Sequence, residues 1–325
     1  MPVLEITTMV GCPLRCTFCP QDELAGAYGR TAEKYLSLDN FKLVLSKLPR
    51  HVQIDFSGMA EPWANRDATS MLKHALNEGF RVAIYTTLSG MSVEDSEQVI
   101  DLVKRNDDQI AQIVLHLPDD NMNMRGWRVS AEYLRVLSGF LLLRQSGGVG
   151  ERVSAMTMDG SGKVHRDMRH LGLKLGPWRG VSRAGSLPED RVRELEAVPA
   201  PRNECAVSCA STPFYDHNVL LPNGDVVLCC MDYSLRHRLG NLLRQDYEEL
   251  FISPVLAKLR SENGKPSFSK CSICKSCDNA ITYDLEGAAW VADGGLLGVG
   301  VAVRSYLAPS VKRAMARRIT WLNRS

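Results

Sequence analysis

Gly11-Cys12-Pro13-Leu14-Arg15-Cys16-Thr17-Phe18-Cys19-Pro20 decides how the rest of the chain is read. Three cysteines at spacing C-x3-C-x2-C follow directly on the extended run Val3 to Thr8. Thiolate sulfur is the preferred donor for iron–sulfur clusters, and three thiolates on one loop hold three corners of a four-iron cube. The fourth iron is then open to a ligand that is not protein. A three-cysteine zinc site or a set of buried thiols is the alternative. A structural zinc site wants a fourth donor close by, and the nearest histidine, His51, is far down the chain. The spacing therefore favours the cube.

The other cysteines keep to the same logic. Of ten, three lie at 12–19, four at 205–230 and three at 271–277. With no secretory signal ahead of the first strand, such bunching reads as metal ligation in a reducing, cytoplasmic setting rather than as disulfides. The composition, 45% hydrophobic and 23% charged over 325 residues, is that of an ordinary globular protein. The longest apolar run, 294–303, is too short to span a bilayer. A net charge of +2 conceals a basic end: residues 304–325 carry six basic residues and no acidic one, leaving −4 on the remainder. No general nucleic-acid surface follows. Contact of the tail with an anionic membrane is a weaker expectation than a helix with solvated charges.

Between the cysteine groups the chain alternates strand and helix. Phe41, Val44, Leu45 and Leu48 recur at helical spacing after Ser37 or Asp39, and Val52 to Phe56 alternates as a strand. Strands are also expected at 81–87, 113–118 and 152–158 and at the short run 173–175, with helices between. Repeated βα units imply a parallel sheet with its active site at the strand C-termini. The second strand runs into Ser57-Gly58-Met59-Ala60-Glu61-Pro62.

The cysteine loop and this hexapeptide together resemble the radical S-adenosylmethionine (SAM) superfamily, whose second motif is usually G-G-E-P; here Ala60 stands at the second glycine. The resemblance implies a partial (β/α)6 barrel of the TIM type. It also implies a [4Fe–4S] cluster on Cys12, Cys16 and Cys19 whose open iron takes the amino and carboxylate groups of SAM. SAM contacts are expected from Phe18, Gly58, Glu61, Thr86, His116 and Arg183, the last in the run Ser182-Arg183-Ala184-Gly185. Thr87, Asp119 and Asp120 are further strand-end residues, the two aspartates also suiting a turn.

Residues 205–277 resemble the SPASM/twitch extension of the same superfamily. A hairpin around Pro222-Asn223-Gly224-Asp225 ends in Cys229-Cys230, followed by Gly240-Asn241-Leu242, a helix from Asp246 to Arg260 and Cys271-x2-Cys274-x2-Cys277. The resemblance implies an auxiliary [4Fe–4S] cluster on Cys209, Cys229, Cys271 and Cys274. That leaves Cys205, Cys230 and Cys277 over, with Cys230 and Cys277 as candidate hydrogen-atom donors. The division expected is a barrel at 1–185, a linker at 186–203, a cluster module at 204–285 and a basic tail at 286–325.

The activity implied is reductive cleavage of SAM with an electron from a flavodoxin- or ferredoxin-type partner. The 5′-deoxyadenosyl radical then takes hydrogen from a carbohydrate or aminocyclitol, ending in oxidation or epimerisation at a carbinol carbon. The alternatives are a peptide-modifying enzyme that works with a separate recognition partner and a non-catalytic iron–sulfur or zinc scaffold.

Overall fold

The computed structural model describes residues 1–29, 32–157, 163–176, 181–195 and 199–283. Five strands, β1 (Val3–Ile6), β2 (Gln53–Phe56), β3 (Val82–Thr86), β4 (Ile110–Leu117) and β5 (Val153–Thr157), pair in parallel in that order. The helices α1 (Gln21–Tyr28), α2 (Leu38–Ser46), α3 (Ala68–Asn77), α4 (Val93–Arg105) and α5 (Ala131–Gln145) lie between them in the chain. Start signals in the sequence hold: Ser37 accepts from the Asn40 N–H, and Ser92 with Asp95 forms a complete capping box on α4.

Strand alternation sorts the side chains. Leu4, Ile6, Ile54, Phe56, Val82, Ile84, Ile113 and Leu115 are buried in one core with Phe41, Met71, Val99 and Phe140 of the helices. The opposite face is mixed, with Ala83 and Val114 among polar side chains. Glu5 stands beside Asp55 in the register, and the same face continues through Ala83, Tyr85, Gln112 and His116. The partial (β/α) barrel therefore has a dry outer layer and a concave face that carries polar side chains.

Two expectations change here. The run 173–175 forms no strand among the described residues; the residue after it, Gly176, makes an isolated parallel bridge to Met156. The sixth parallel strand is instead β7 (His217–Leu220), which pairs with β1 on the other side of the sheet. β8 (Asp225–Val227) and β9 (Arg238–Asn241) then continue antiparallel, so one eight-stranded sheet crosses the division expected at 186–203. That segment also carries a short helix, α6 (Glu189–Glu194), after Pro188.

The C-terminal helix is not continuous. A 3-10 turn (Tyr247–Ile252) is followed by α7 (Pro254–Asn263), with Ser253 as N-cap and Pro254 in the first turn. Proline lacks the N–H and crowds the preceding turn, which splits the segment. Finally β6 (Ala206–Cys209) pairs antiparallel with β10 (Ala280–Tyr283) as a separate two-stranded sheet. The basic tail expected at 286–325 lies outside the described residues. Among the described residues no helix is long and apolar enough to cross a membrane.

Candidate active site

The three N-terminal cysteines sit on a loop pinned from outside. Cys16 bridges to Met124, the Thr17 N–H donates to the Asn123 carbonyl at 2.9 Å, and the Thr17 hydroxyl donates to Asn123 Oδ1 at 2.8 Å. Asn123 is in turn held by Asp119, which accepts from its N–H and its side-chain amide. Asp119 is thus a buried brace under the loop, and Asp120 accepts from the Arg166 N–H and pairs with Arg169; neither lines the cavity.

That cavity, ≈ 140 Å³, opens in front of Cys12, Cys16 and Cys19, and the expected SAM contacts Phe18, Gly58, Glu61, Thr86, His116 and Arg183 all line it. Thr87 lines it as well. Gly58 is there for a backbone reason: at φ 64° a Cβ would come within 2.4 Å of Thr7 Oγ1 and 2.8 Å of Thr7 N. Ala60 is not in a left-handed conformation, so the glycine usual at this place in the motif is not required by this backbone.

Glu61 is fully enclosed. It accepts from the Thr86 hydroxyl at 2.6 Å, from the Thr87 N–H and hydroxyl at 2.7 Å each, and from the Trp63 N–H at 3.3 Å. Burial pushes its carboxyl above the usual range, and these bonds restrain the rise. Burial, aided by Arg183, lowers His116 to about 4, so it faces the cavity as a neutral imidazole. Arg183, itself at φ 52°, donates from Nε to the Phe18 carbonyl at 3.1 Å and lies 5.8 Å from the Tyr233 ring centroid.

A second cavity, ≈ 130 Å³, gathers Cys209, Cys229, Cys230, Cys274 and Cys277. The cysteines expected together from the sequence are not all among those that line it. Cys271 is exposed and does not line the cavity, whereas Cys277, left over before, is 8% exposed and does. The reason is local: Cys274 lies in a 3-10 turn (Ile273–Ser276), and Cys277 follows three residues later. At three residues per turn, positions i and i+3 eclipse and aim the same way. The Cys277 N–H also donates to the Cys274 carbonyl at 3.2 Å. Cys205 is exposed and apart from the cavity.

Both cavities fit iron–sulfur cubes. The first offers three thiols and a remaining corner open to the space that Glu61 and Arg183 border; the second offers thiols enough for four corners. Among the described residues no three His, Cys, Asp or Glu side chains converge as a single-ion site does, and a cube spreads its ligands more widely than one zinc ion.

Sequence reasoning missed what lies between the cavities. Glu5 Oε2 accepts from the Ser57 hydroxyl at 3.1 Å, and Glu5 Oε1 is 2.9 Å from His217 Nε2. Ser57 lines the first cavity, while Glu5, His217 and Cys230 line the second. Burial alone raises the Glu5 carboxyl, but His217, Cys230 and Ser57 outweigh it and hold it below the usual range. Burial and the negative charge of Glu5 push the Cys230 thiol well above its ordinary value, opposed by Arg183. The one available signal was a glutamate, Glu5, at a pleat position inside an otherwise apolar first strand.

Two family models match the chain. One, described as the radical SAM superfamily, covers residues 6–171; the other, described as an iron–sulfur cluster-binding domain (SPASM), covers residues 209–278. Among curated proteins the chain is 29% identical over 122 residues to a probable dual-specificity RNA methyltransferase RlmN of Synechococcus sp. (strain JA-2-3B'a(2-13)). That match takes in 37% of this chain and 34% of RlmN, about a third of the relative's length. Among solved structures, BtrN in complex with AdoMet and 2-DOIA superposes with a TM-score of 0.53 at 16% identity, covering 86% of this chain and 92% of BtrN. Native anSMEcpe with bound AdoMet gives 0.48 at 13% identity, over 86% and 88% of the two chains. At these identities the likeness to BtrN concerns the fold.

Proposed function

The chain belongs to the radical SAM superfamily, and from that membership we propose that it takes a hydrogen atom from a carbinol carbon of a carbohydrate or aminocyclitol, ending in oxidation or epimerisation. The observation that carries the substrate reading is the polar seam Ser57–Glu5–His217, which joins the two cysteine cavities and suits a hydroxyl-bearing molecule. The similarly folded BtrN was solved with AdoMet and 2-DOIA, which agrees with a small substrate of this kind.

The family brings SAM and its [4Fe–4S] cluster, and the SPASM domain brings auxiliary iron–sulfur. Once loaded, this cofactor set supplies the one-electron cleavage of SAM and the radical that removes hydrogen. Cys12, Cys16 and Cys19 would hold the first cluster. Cys209, Cys229, Cys274 and Cys277 would hold the auxiliary one. Glu61, fixed by Thr86 and Thr87, offers negative charge toward the SAM ammonium, and Arg183 offers a cation toward its carboxylate. Neutral His116 adds a hydrogen-bonding group without adding charge.

The polar seam acts on the substrate side. After hydrogen abstraction, oxidation of the carbinol releases its hydroxyl proton and one further electron; the Glu5 carboxylate, bonded to Ser57, would accept the proton and the auxiliary cluster would take the electron. Epimerisation instead returns a hydrogen atom to the opposite face. With Cys277 assigned to the auxiliary set, Cys230 is the remaining candidate donor, beside Glu5 at the seam. All ten cysteines are free, which supports a reducing, cytoplasmic setting.

The test is anaerobic reconstitution with SAM, dithionite and a panel of carbinol-deuterated aminocyclitols and aminosugars. Transfer of deuterium into 5′-deoxyadenosine identifies the abstracted position. A product two hydrogens lighter marks oxidation, and solvent deuterium at one carbon marks epimerisation. Deuterium transfer from a peptide and from none of the sugars would overturn the substrate class and leave SAM cleavage standing.

A further inference from the structure

Cys19 differs from Cys12 and Cys16 in what surrounds its sulfur. Two side chains reach Cys19 Sγ: Gln21 Nε2 at 3.1 Å and the Tyr233 hydroxyl at 3.3 Å. Gln21 is fixed by a second bond, from Nε2 to the Met59 carbonyl at 2.6 Å. Tyr233 comes from the far end of the chain and is 3% exposed, packed with Val10, Leu24, Met59 and Val219. The turn that presents it is rigid. The Asp232 N–H donates to the Cys229 carbonyl at 3.0 Å, and the Asp232 carboxylate accepts from the N–H groups of Arg236 and His237. A thiolate bound to iron has no proton, so in the loaded protein only the tyrosine O–H can donate in this contact.

We propose that Tyr233 is a positioning residue for the SAM cluster, donating a hydrogen bond to the Cys19 thiolate and, together with Gln21, raising the reduction potential of that cluster. The inference rests on the reading that Cys12, Cys16 and Cys19 hold the cluster. Its physical basis is general: adding an electron increases the negative charge on the ligating sulfurs, and donors aimed at a sulfur stabilise the reduced state more than the oxidised one. The external reductant supplies that electron, and no proton is transferred. Because the turn carrying Tyr233 starts at Cys229, this hydroxyl ties the auxiliary cysteine hairpin directly to the loop of the N-terminal cluster.

The experiment is an EPR-monitored redox titration of the reconstituted full chain, comparing wild type with Tyr233→Phe. Phenylalanine keeps the ring, its packing and its contact with Arg183, and removes only the O–H. The SAM cluster is identified as the one whose signal changes when SAM is added. Its reduced-to-oxidised ratio at a fixed potential is expected to fall about threefold to tenfold, tenfold being 59 mV for one electron. The auxiliary cluster serves as an internal reference and stays unshifted. Gln21→Met shifts the potential in the same direction, and the double variant shifts it further. An unchanged or more positive potential in Tyr233→Phe, or an equal shift in both clusters, overturns the proposal. A wild-type protein with no SAM-responsive cluster signal would instead overturn the reading on which it rests.

Discussion

The two cysteine loops are built in different ways. Residues 12–19 contain little regular structure of their own and are held by distant side chains: Asn123 and Asp119 beneath, Tyr233 beside. Residues 271–277 have a regular turn of their own. Ser272 caps the 3-10 turn by accepting from the Cys274 N–H, and Lys275, 0% exposed, donates from Nζ to the carbonyls of Cys205 and Lys265. The first loop therefore depends wholly on the fold around it, while the second combines its own turn with outside contacts, the Ile273 N–H donating to His237 Nε2 and the Ser272 hydroxyl to Asn263 Oδ1. A loop that must leave an iron open to SAM is shaped by the site it faces. A loop that only closes a cluster is free to be partly local.

The sharpest test separates the two sets. Replacing Cys12, Cys16 and Cys19 together by Ala is expected to abolish SAM cleavage and remove about four irons per chain, while about one cube remains on the C-terminal cysteines. Iron analysis and 5′-deoxyadenosine formation report both results; continued cleavage would break the assignment. Next in size is the choice within the second loop. Cys277→Ala is expected to lose the auxiliary absorbance and about four irons, and Cys271→Ala to keep both. The reverse pattern would return Cys271 to the ligand set.

Stability sharpens the contrast further. Lys275→Met leaves two carbonyls without their donor and is expected to cost about 2–5 kcal/mol in chemical denaturation. Asn123→Ala removes the brace under the first loop at about 1–3 kcal/mol, and it is also expected to loosen iron retention at Cys12, Cys16 and Cys19. If it left iron binding untouched, the claim that distant contacts shape that loop would fail.

The smallest effect concerns the floor between the two regions. Burial, reinforced by the charge of Glu5 and opposed by a hydrogen bond from Gln53, raises the Asp55 carboxyl to about 6. Its folded pKa lies above the unfolded value, so the folded state binds the extra proton between about pH 4 and 6. The associated stability is present at low pH and is lost as pH rises through 6. Asp55→Asn is accordingly expected to stabilise the protein by about 1–3 kcal/mol at pH 8, by about half of that at pH 5 and by little near pH 3. Equal effects at all three pH values would mean that Asp55 is not buried as a carboxylate.

Much of this was legible in residue order. The C-x3-C-x2-C loop offers itself as a ligand set because all three cysteines fall within eight residues, and the family model over residues 6–171 agrees with the superfamily reading. The βα alternation from Val3 to Thr157 was visible because apolar periodicity is a local signal. Gly58 could be picked out of its hexapeptide, although the reason for it, a close approach to Thr7, could not.

What residue order left open depends on the folded backbone and on contacts far apart in the chain. Cys271-x2-Cys274-x2-Cys277 contains two overlapping C-x2-C pairs, and spacing alone treats them alike. The 3-10 turn at Ile273–Ser276 and the burial of its C-terminal side place Cys274 and Cys277, and not Cys271, along the second cavity. Likewise no local pattern says that His217–Leu220 pairs with Val3–Ile6, which brings His217 to Glu5 and carries Cys230 and Tyr233 toward the first cavity. The sequence by itself determined which side chains are able to hold iron and where the helices and strands begin. Only the tertiary structure decided which of those side chains meet, because pairing across more than two hundred residues depends on the whole core closing rather than on any neighbouring residue.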